Sequence, residues 1–192
     1  MPSLPLILAI GDSLVAGYGL ATADSFPAQL ERRLRTVHPA AGVVNAGRSG
    51  DTTADVLQRL PSVMSRLPSR PDLAIVQVGP NDVLRQVPPV ATRASLDAIL
   101  IELGRCGIPV LLSTVAPPPI LHDRARPYLG LHEDLAARHG ATSCAFFPAG
   151  ILGRADMVLA DRIHPNAAAI GLVADAMLPV VLRLLKDGAI TG

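Results

Sequence analysis

Short apolar runs alternate along the whole chain with longer segments of helical periodicity. The runs, rich in aliphatic and β-branched residues, are residues 6–10, 43–45, 73–78, 110–114 and 142–147. Between the first two, Leu30, Leu34 and Val37 recur at a spacing that places them on one face of a helix over residues 28–37. This alternation is typical of βαβ units and predicts a parallel sheet with helices on both faces.

Four further helices follow from the same periodicity, at residues 52–67, 94–103, 129–137 and about 165–185. Pro61 and Pro179 lie inside two of them and are expected to kink or split the helix. Gly140 is expected to end the fourth helix, and Pro165 to occupy the first turn of the fifth. Five strands and five helices predict an α/β fold, a flavodoxin-like three-layer α/β/α sandwich with a five-stranded parallel sheet. Because no linker-like segment divides the chain, residues 1–192 are predicted to form one domain.

Charge and composition exclude several classes of protein. Lys and Arg together number 17 and Asp and Glu 16, a net charge of +1, so no cationic surplus is present to bind nucleic acid or an anionic leaflet. Although 49% of residues are hydrophobic, the longest apolar stretches, residues 6–10 and 167–174, are judged too short to span a bilayer. The two cysteines show neither zinc nor disulfide spacing. We therefore predict a soluble protein without a nucleic-acid partner or stable membrane insertion; its oligomeric state stays open.

The N-terminal residues carry little targeting information. Met-Pro-Ser-Leu-Pro has no basic region and no small-residue cleavage site before the apolar run, which favours a cytoplasmic location. A signal peptide removed beforehand would instead make the protein periplasmic or secreted.

Polar and glycine residues cluster where the predicted strands end, the edge at which ligands bind in such sheets. The segments are Gly11-Asp12-Ser13-Leu14, residues 45–51, Gly79-Pro80-Asn81-Asp82, and Asp161-Arg162-Ile163-His164 before the last helix. A serine hydroxyl is a poor nucleophile unless a base, itself oriented by a carboxylate, removes its proton. We therefore interpret Ser13 as the nucleophile, His164 as the base and Asp161 as the orienting carboxylate. Taken singly, each is more typical of a turn or a surface; the other four histidines are interpreted as solvated.

Acyl transfer also requires donors for the developing oxyanion. The candidates are the backbone N–H groups of Ser13 and Gly50 and the side-chain amide of Asn81. Asn81 could instead stabilise its own turn. Asp51 and Thr52 are predicted to cap the following helix.

These four segments, in this order, resemble the blocks of the SGNH (GDSL-type) hydrolases, nearest the bacterial thioesterase I, lysophospholipase L1 and arylesterase branch. The resemblance runs from about residue 6 to the last helix. It implies a carboxylic ester or thioester hydrolase with a Ser13, His164 and Asp161 triad and an oxyanion hole of Ser13, Gly50 and Asn81. Pro80 departs from the glycine that close relatives often carry, which puts movement of that loop in question.

Other readings remain open at this point. A metal-dependent phosphoesterase is disfavoured because no Asp-x-His precedes the first Gly-Asp and no His follows Asn81, and neither a P-loop nor a dinucleotide fingerprint occurs. No metal or cofactor is therefore expected. A carbohydrate acetylesterase, or a non-catalytic module that binds acyl or glycan ligands, is an alternative. Apolar residues near the expected site, Val83, Leu84, Ile120 and Leu121, predict a substrate-binding wall that favours small-molecule esters or thioesters with short to medium acyl chains.

Overall fold

A computed structural model describes residues 5–151 and 153–190 of the chain. The segment 1–4, part of the sequence on which the predicted location depends, lies outside the described residues. Five strands form one sheet: Leu6–Gly11 (β1), Gly42–Gly47 (β2), Leu73–Gln77 (β3), Val110–Thr114 (β4) and Thr142–Ala145 (β5). All four pairings are parallel, in the order β2-β1-β3-β4-β5. This is the flavodoxin-type order, and it confirms the predicted fold class.

The described residues contain five long helices and three short ones. In chain order they are Ser13–Ala16 (α1), Phe26–Leu34 (α2), Thr53–Met64 (α3), Pro80–Leu84 (α4), Pro89–Arg105 (α5), His122–Ala125 (α6), Leu131–His139 (α7) and Ala167–Ile190 (α8). The long helices match the five predicted from periodicity. The short helices α1, α4 and α6 were not predicted, because a single turn is too short to show a periodic pattern.

The prolines and the glycine behave differently from one another. Helices α3 and α8 continue through Pro61 and Pro179, so neither helix is split as the sequence suggested. Each proline removes one backbone hydrogen bond, and the buried stripe of the helix holds the remainder in place. Pro165 lies before α8 rather than in its first turn, paired with Val158 in an antiparallel bridge. Gly140 does end α7, with φ of 63° in the left-handed region.

The sheet is covered on both faces, as the three-layer prediction requires. Ile7 and Ala9 of β1 belong to one apolar cluster, and Leu8 and Ile10 belong to the other, because successive side chains of a strand point to opposite faces. Helices α2 and α8 cover the first face, and α3, α5 and α7 cover the second. The candidate site residues Ser13, Gly50 and Asn81 follow the carboxyl ends of β1, β2 and β3.

Helix α8 corrects one expectation drawn from the sequence. Its segment Ala167–Gly188 has a mean hydropathy of 2.0 and is long and apolar enough to cross a membrane, so length does not exclude it. Its buried stripe includes Ile170, Val173, Met177 and Val181 and packs into the core. On its outer face Asp175 accepts from Arg33 of α2, with 2.6 Å between Oδ1 and Nε. These contacts pack one face of α8 into the core and tie its outer face to α2.

Candidate active site

Three strands that lie side by side bring their carboxyl ends to one place. β1 runs into α1 through Asp12, whose Oδ1 accepts from the backbone N–H of Leu14 at 3.0 Å, and this cap makes Ser13 the first residue of the helix. β2 leads to Gly50, whose φ of 88° lies in the region that favours glycine. β3 leads to Gly79, with φ of 129°, which lies directly before α4, the helix that carries Asn81.

The structure brings Ser13, His164 and Asp161 together. His164 Nε2 lies 3.2 Å from Ser13 Oγ, and His164 Nδ1 lies 2.7 Å from Asp161 Oδ2. The hydrogen bond from His164, together with those from the backbone N–H groups of Ile163 and His164, lowers the pKa of Asp161 to about 2. Because the ionised carboxylate can only accept, Nδ1 carries the hydrogen and Nε2 faces the serine hydroxyl as an acceptor.

The segment before α8 is folded so that Asp161 reaches His164. Asp161 Oδ1 accepts from the backbone N–H groups of Ile163 at 2.9 Å and His164 at 3.0 Å, which closes a tight loop. Leu159 N–H donates to the carbonyl of His164 at 2.8 Å, and Arg162 adopts a φ of 58° at the turn. The three-residue spacing therefore acts through backbone hydrogen bonds as well as through the imidazole.

The three candidate oxyanion donors lie on the segments that follow β1, β2 and β3. In the part of the chain that the structure describes, the backbone N–H groups of Ser13 and Gly50 donate to no protein acceptor. Asn81 Nδ2 donates to the carbonyl of Asp51 at 3.0 Å, so the amide bonds across to the Gly50 loop rather than to its own turn. One N–H of that amide is left for a ligand.

Of the two residues predicted to cap α3, Thr52 does so and Asp51 does not. Thr52 is the N-cap, and it forms a capping box with Asp55. Asp51 instead forms an ion pair with Arg59, with 2.6 Å between Oδ2 and Nε. Both contacts hold the chain just after Gly50.

Two groups near Ser13 were not recognised in the sequence. The Tyr18 ring lies on the His164 ring with 4.4 Å between centroids, where an aromatic face can stabilise an imidazolium. Asp12 is 1% exposed, and burial raises its pKa to about 6 against the lowering effect of the Leu14 N–H and of the Gln77 side chain. Sequence spacing carries no signal for Tyr18, because the chain brings it to His164 only after folding.

The residues predicted to wall an acyl site occupy two segments. Val83 and Leu84 share α4 with Asn81, and Leu84 is half-exposed. Ile120, 89% exposed, and the half-buried Leu121 lie in a single 3-10 turn, Pro119–Leu121. A hydrogen bond from the Tyr128 hydroxyl to the carbonyl of Val87 joins the segment after α4 to the segment after α6.

Two of the histidines interpreted as solvated are instead half-buried and hydrogen-bonded to a neighbouring segment. His132 Nε2 lies 2.8 Å from the carbonyl of Val78, and burial lowers the pKa of His132. His139 Nε2 lies 2.7 Å from Asp97 Oδ1. Both sit on α7, where a neighbouring segment supplies the partner. His132 therefore contacts Val78, the residue between β3 and Gly79.

A parallel sheet of this order, with a Ser-His-Asp set and free N–H donors at its carboxyl edge, defines the SGNH class of hydrolases. Among the described residues, no group of three His, Cys, Asp or Glu side chains is placed to hold a metal ion.

Comparison with known proteins gives the family. The sequence profile of the GDSL-like lipase/acylhydrolase family matches residues 9–169, and the chain belongs to this family. Esterase TesA of Pseudomonas aeruginosa is 32% identical over 180 residues, which cover 93% of this chain and 89% of that protein. Thioesterase 1/protease 1/lysophospholipase L1 of Escherichia coli (strain K12) is 30% identical over 172 residues, covering 89% and 80%. The crystal structure of AlinE4, an SGNH-hydrolase family esterase, superposes with a TM-score of 0.77 at 41% identity, covering 95% and 97%. The protein is an ester-hydrolysing enzyme of the GDSL type.

Proposed function

We propose that the protein is a cofactor-independent serine esterase in which Ser13 is the nucleophile, His164 the general base and Asp161 the carboxylate that orients it. The observation that carries this proposal is the continuous pair of hydrogen bonds, 3.2 Å from Ser13 Oγ to His164 Nε2 and 2.7 Å from His164 Nδ1 to Asp161 Oδ2. Ser13 lies 151 positions from His164 in sequence, and Asp161 lies three positions from it. Folding brings the three side chains together in the order nucleophile, base and carboxylate that serine catalysis needs.

The first half of the reaction forms an acyl-enzyme. Ser13 Oγ attacks the carbonyl carbon of the ester while its proton passes to His164 Nε2. The imidazolium that results is stabilised by the ionised Asp161 on one nitrogen and by the Tyr18 ring on its face. The C–O bond to the alcohol then breaks, and His164 returns the proton to the leaving oxygen.

The second half releases the acid. Water gives a proton to His164 Nε2 as its oxygen attacks the acyl carbon, and the Ser13 ester bond breaks with return of that proton to Oγ. In both halves negative charge develops on the carbonyl oxygen. We assign the N–H groups of Ser13, Gly50 and Asn81 as its donors, since each has an N–H without a protein acceptor in the described structure.

The acyl group is proposed to be short to medium in length. Val83 and Leu84 stand next to Asn81 on α4, and Ile120 and Leu121 offer apolar surface on a loop tied to the same region through Tyr128. A site for acetylated sugars would be expected to present polar groups there instead.

Two relatives suggest different leaving groups. One carries the name esterase and the other thioesterase 1/protease 1/lysophospholipase L1. An alkyl or aryl ester is our first candidate, and an acyl thioester is the second, because the same Ser13 chemistry serves both.

The test uses three substrate series and one covalent probe. Ser13→Ala should remove turnover of p-nitrophenyl esters while the protein stays folded, because the three side chains act as a unit. Ser62→Ala, an exposed serine on α3, is the matched control and should keep wild-type turnover. A fluorophosphonate should label the wild type and not Ser13→Ala. Acyl-CoA thioesters and acetylated sugars, run alongside, decide the leaving group.

Three results would contradict the proposal. Near-normal turnover in Ser13→Ala would remove Ser13 as the nucleophile. A wild type that is inert to both the probe and every ester would favour a binding module. Activity on acetylated sugars above all other substrates would favour the carbohydrate acetylesterase.

A further inference from the structure

Helix α4 and Arg85, which follows it, are tied by four hydrogen bonds to the loop after β2 and to the first residue of α3. Asn81 Nδ2 donates to the carbonyl of Asp51 at 3.0 Å, and Arg85 Nη2 donates to the carbonyl of Gly50 at 2.7 Å. Asp82, fully buried, accepts from the backbone N–H of Thr53 at 2.9 Å and from its hydroxyl at 2.7 Å. The segments that carry two of the assigned oxyanion donors are therefore held in one relative position.

We propose that Arg85 is a positioning residue for the oxyanion hole: by holding the Gly50 carbonyl it restricts rotation at Gly50, and so limits the direction of the N–H in the preceding Ser49–Gly50 peptide. The inference rests on the proposed function, since it needs Gly50 and Asn81 to be the donors. The proposed role acts through Gly50 and not through a contact with the substrate or the reacting atoms.

The turn that contains Gly50 is closed by one backbone hydrogen bond, from the Asp51 N–H to the Arg48 carbonyl at 3.2 Å. The φ of 88° at Gly50 is one of several conformations open to a residue without a Cβ, so its own backbone does not keep the N–H in one direction. The neighbours are held separately: Arg48 N–H donates to the Gly11 carbonyl at 2.9 Å, and Asp51 pairs with Arg59. Within the described residues, Arg85 supplies the side-chain contact to the backbone of Gly50.

The position of Arg85 links the two donors mechanically. Arg85 N–H donates to the carbonyl of Asn81 at 2.9 Å, at the end of the single turn that forms α4. A shift of α4 therefore moves Asn81 and the backbone of Arg85 together, and through the guanidinium it reaches the carbonyl of Gly50. A donor misplaced by a fraction of an ångström loses much of its effect on a transition state.

Arg85 could affect the oxyanion hole through its positive charge or through its hydrogen bond to Gly50, and the structure favours the hydrogen bond. Its side chain is 56% exposed, and the nearest carboxylate oxygen, of Asp55, is 3.8 Å from Nη1. Water and salt screen an exposed charge, whereas a directed bond to a carbonyl keeps its geometry. The two explanations differ in what they predict for neighbouring arginines.

The experiment compares Arg85→Met, Arg85→Lys and the control Arg48→Met, an arginine on the same loop that is 76% exposed and 3.9 Å from Asp51. For each, kcat and KM are measured on p-nitrophenyl butyrate, per active site titrated with a fluorophosphonate, and thermal melts are recorded. Arg85→Met should lower kcat about tenfold with KM within roughly twofold, because alignment is lost in the transition state and not in binding. Arg85→Lys should recover most of kcat, since an ammonium group can still donate to the carbonyl. Arg48→Met should match the wild type.

Several results would overturn the inference, and they are distinguishable from failure of the proposed function. Wild-type kcat in Arg85→Met while Asn81→Ala loses activity removes Arg85 and leaves the oxyanion hole. Wild-type kcat in both Arg85→Met and Asn81→Ala means that the oxyanion donors are wrongly assigned. A lower melting temperature with unchanged kcat per titrated site gives Arg85 a purely structural role. An equal loss in Arg48→Met makes positive charge the cause, and a raised KM with intact kcat makes Arg85 a substrate contact.

Discussion

The carboxyl of Asp12 lies directly before Ser13 and is the most unusual ionisable group of the site. It is 1% exposed; Oδ1 accepts from the Leu14 N–H, while Oδ2 is buried without a hydrogen bond of good geometry in the described structure. The Gln77 carboxamide faces it and moderates the effect of burial, yet neither of its polar atoms makes a well-formed bond. Burial raises the pKa of Asp12 to about 6. Replacing Asp12 by Asn, which imitates the neutral acid, is therefore an informative perturbation.

The direction and size follow from linkage between proton binding and folding. In the unfolded chain the Asp12 pKa returns to its ordinary value of 3.8, so between that pH and about 6 the folded protein binds more protons than the unfolded one. Stability must then fall as the pH rises through this window. Above pH 7 the raised pKa of Asp12 lowers the free energy of unfolding by about 3 kcal/mol, and at pH 5 it lowers it by roughly half of that.

Asp12→Asn should remove this cost. The amide oxygen can still accept from Leu14 N–H, so the cap of α1 is retained. We expect the free energy of unfolding at pH 8 to rise by about 3 kcal/mol, and the melting temperature by roughly 6–12 °C for a chain of this size. At pH 5 the gain should be about half as large.

Urea denaturation of wild type and variant at pH 5 and pH 8 measures the difference. The lowered pKa of His132 also costs stability as the pH falls below the ordinary value of 6.5. Because His132 is present in both proteins, its contribution cancels in the difference between their free energies of unfolding. Asp123→Asn, at an exposed position on α6, is the control and should show no such pattern. A variant less stable than wild type at pH 8, or a gain equal at both pH values, would refute the reasoning.

Three further predictions concern catalysis. Asn81→Ala should lower kcat by roughly 10²–10³ with little change in KM, because its bond strengthens in the transition state; a melt that falls in step with activity would make Asn81 structural. Asp161→Asn should lower kcat by up to about 10⁴ in a folded protein, since the amide no longer holds the His164 tautomer, and retention of most of the wild-type kcat would argue against its role. Across p-nitrophenyl esters, kcat/KM should rise from acetyl to butyryl or hexanoyl, as each buried methylene contributes about 0.8 kcal/mol, and a maximum at acetyl would contradict the acyl wall.

Much of the fold and the chemistry was predictable because both depend on local pattern. Apolar runs and helical periodicity located the strands and long helices, since burial on two faces of a parallel sheet leaves a strong signal. The Gly-Asp-Ser turn, Gly50, Asn81 and the Asp161 to His164 spacing marked the segments of the site, because parallel strands deliver their carboxyl ends to one edge. Predictions that rested on a single proline did worse: Pro61 and Pro179 do not split their helices, and Pro165 lies outside α8, whereas Gly140 does end α7.

Contacts between distant segments were decided only by the tertiary structure. Three contacts depend on how α4 packs beside the loop after β2. They are the ion pair of Asp51 with Arg59, the bond from Asn81 to the Asp51 carbonyl and the bond from Arg85 to the Gly50 carbonyl. The raised pKa of Asp12 depends on how much water the surrounding chain removes, and the Tyr18 contact depends on where the turn after α1 meets the segment before α8. Sequence records which groups are available, whereas hydrogen-bond direction, burial and alignment arise from the whole packed molecule.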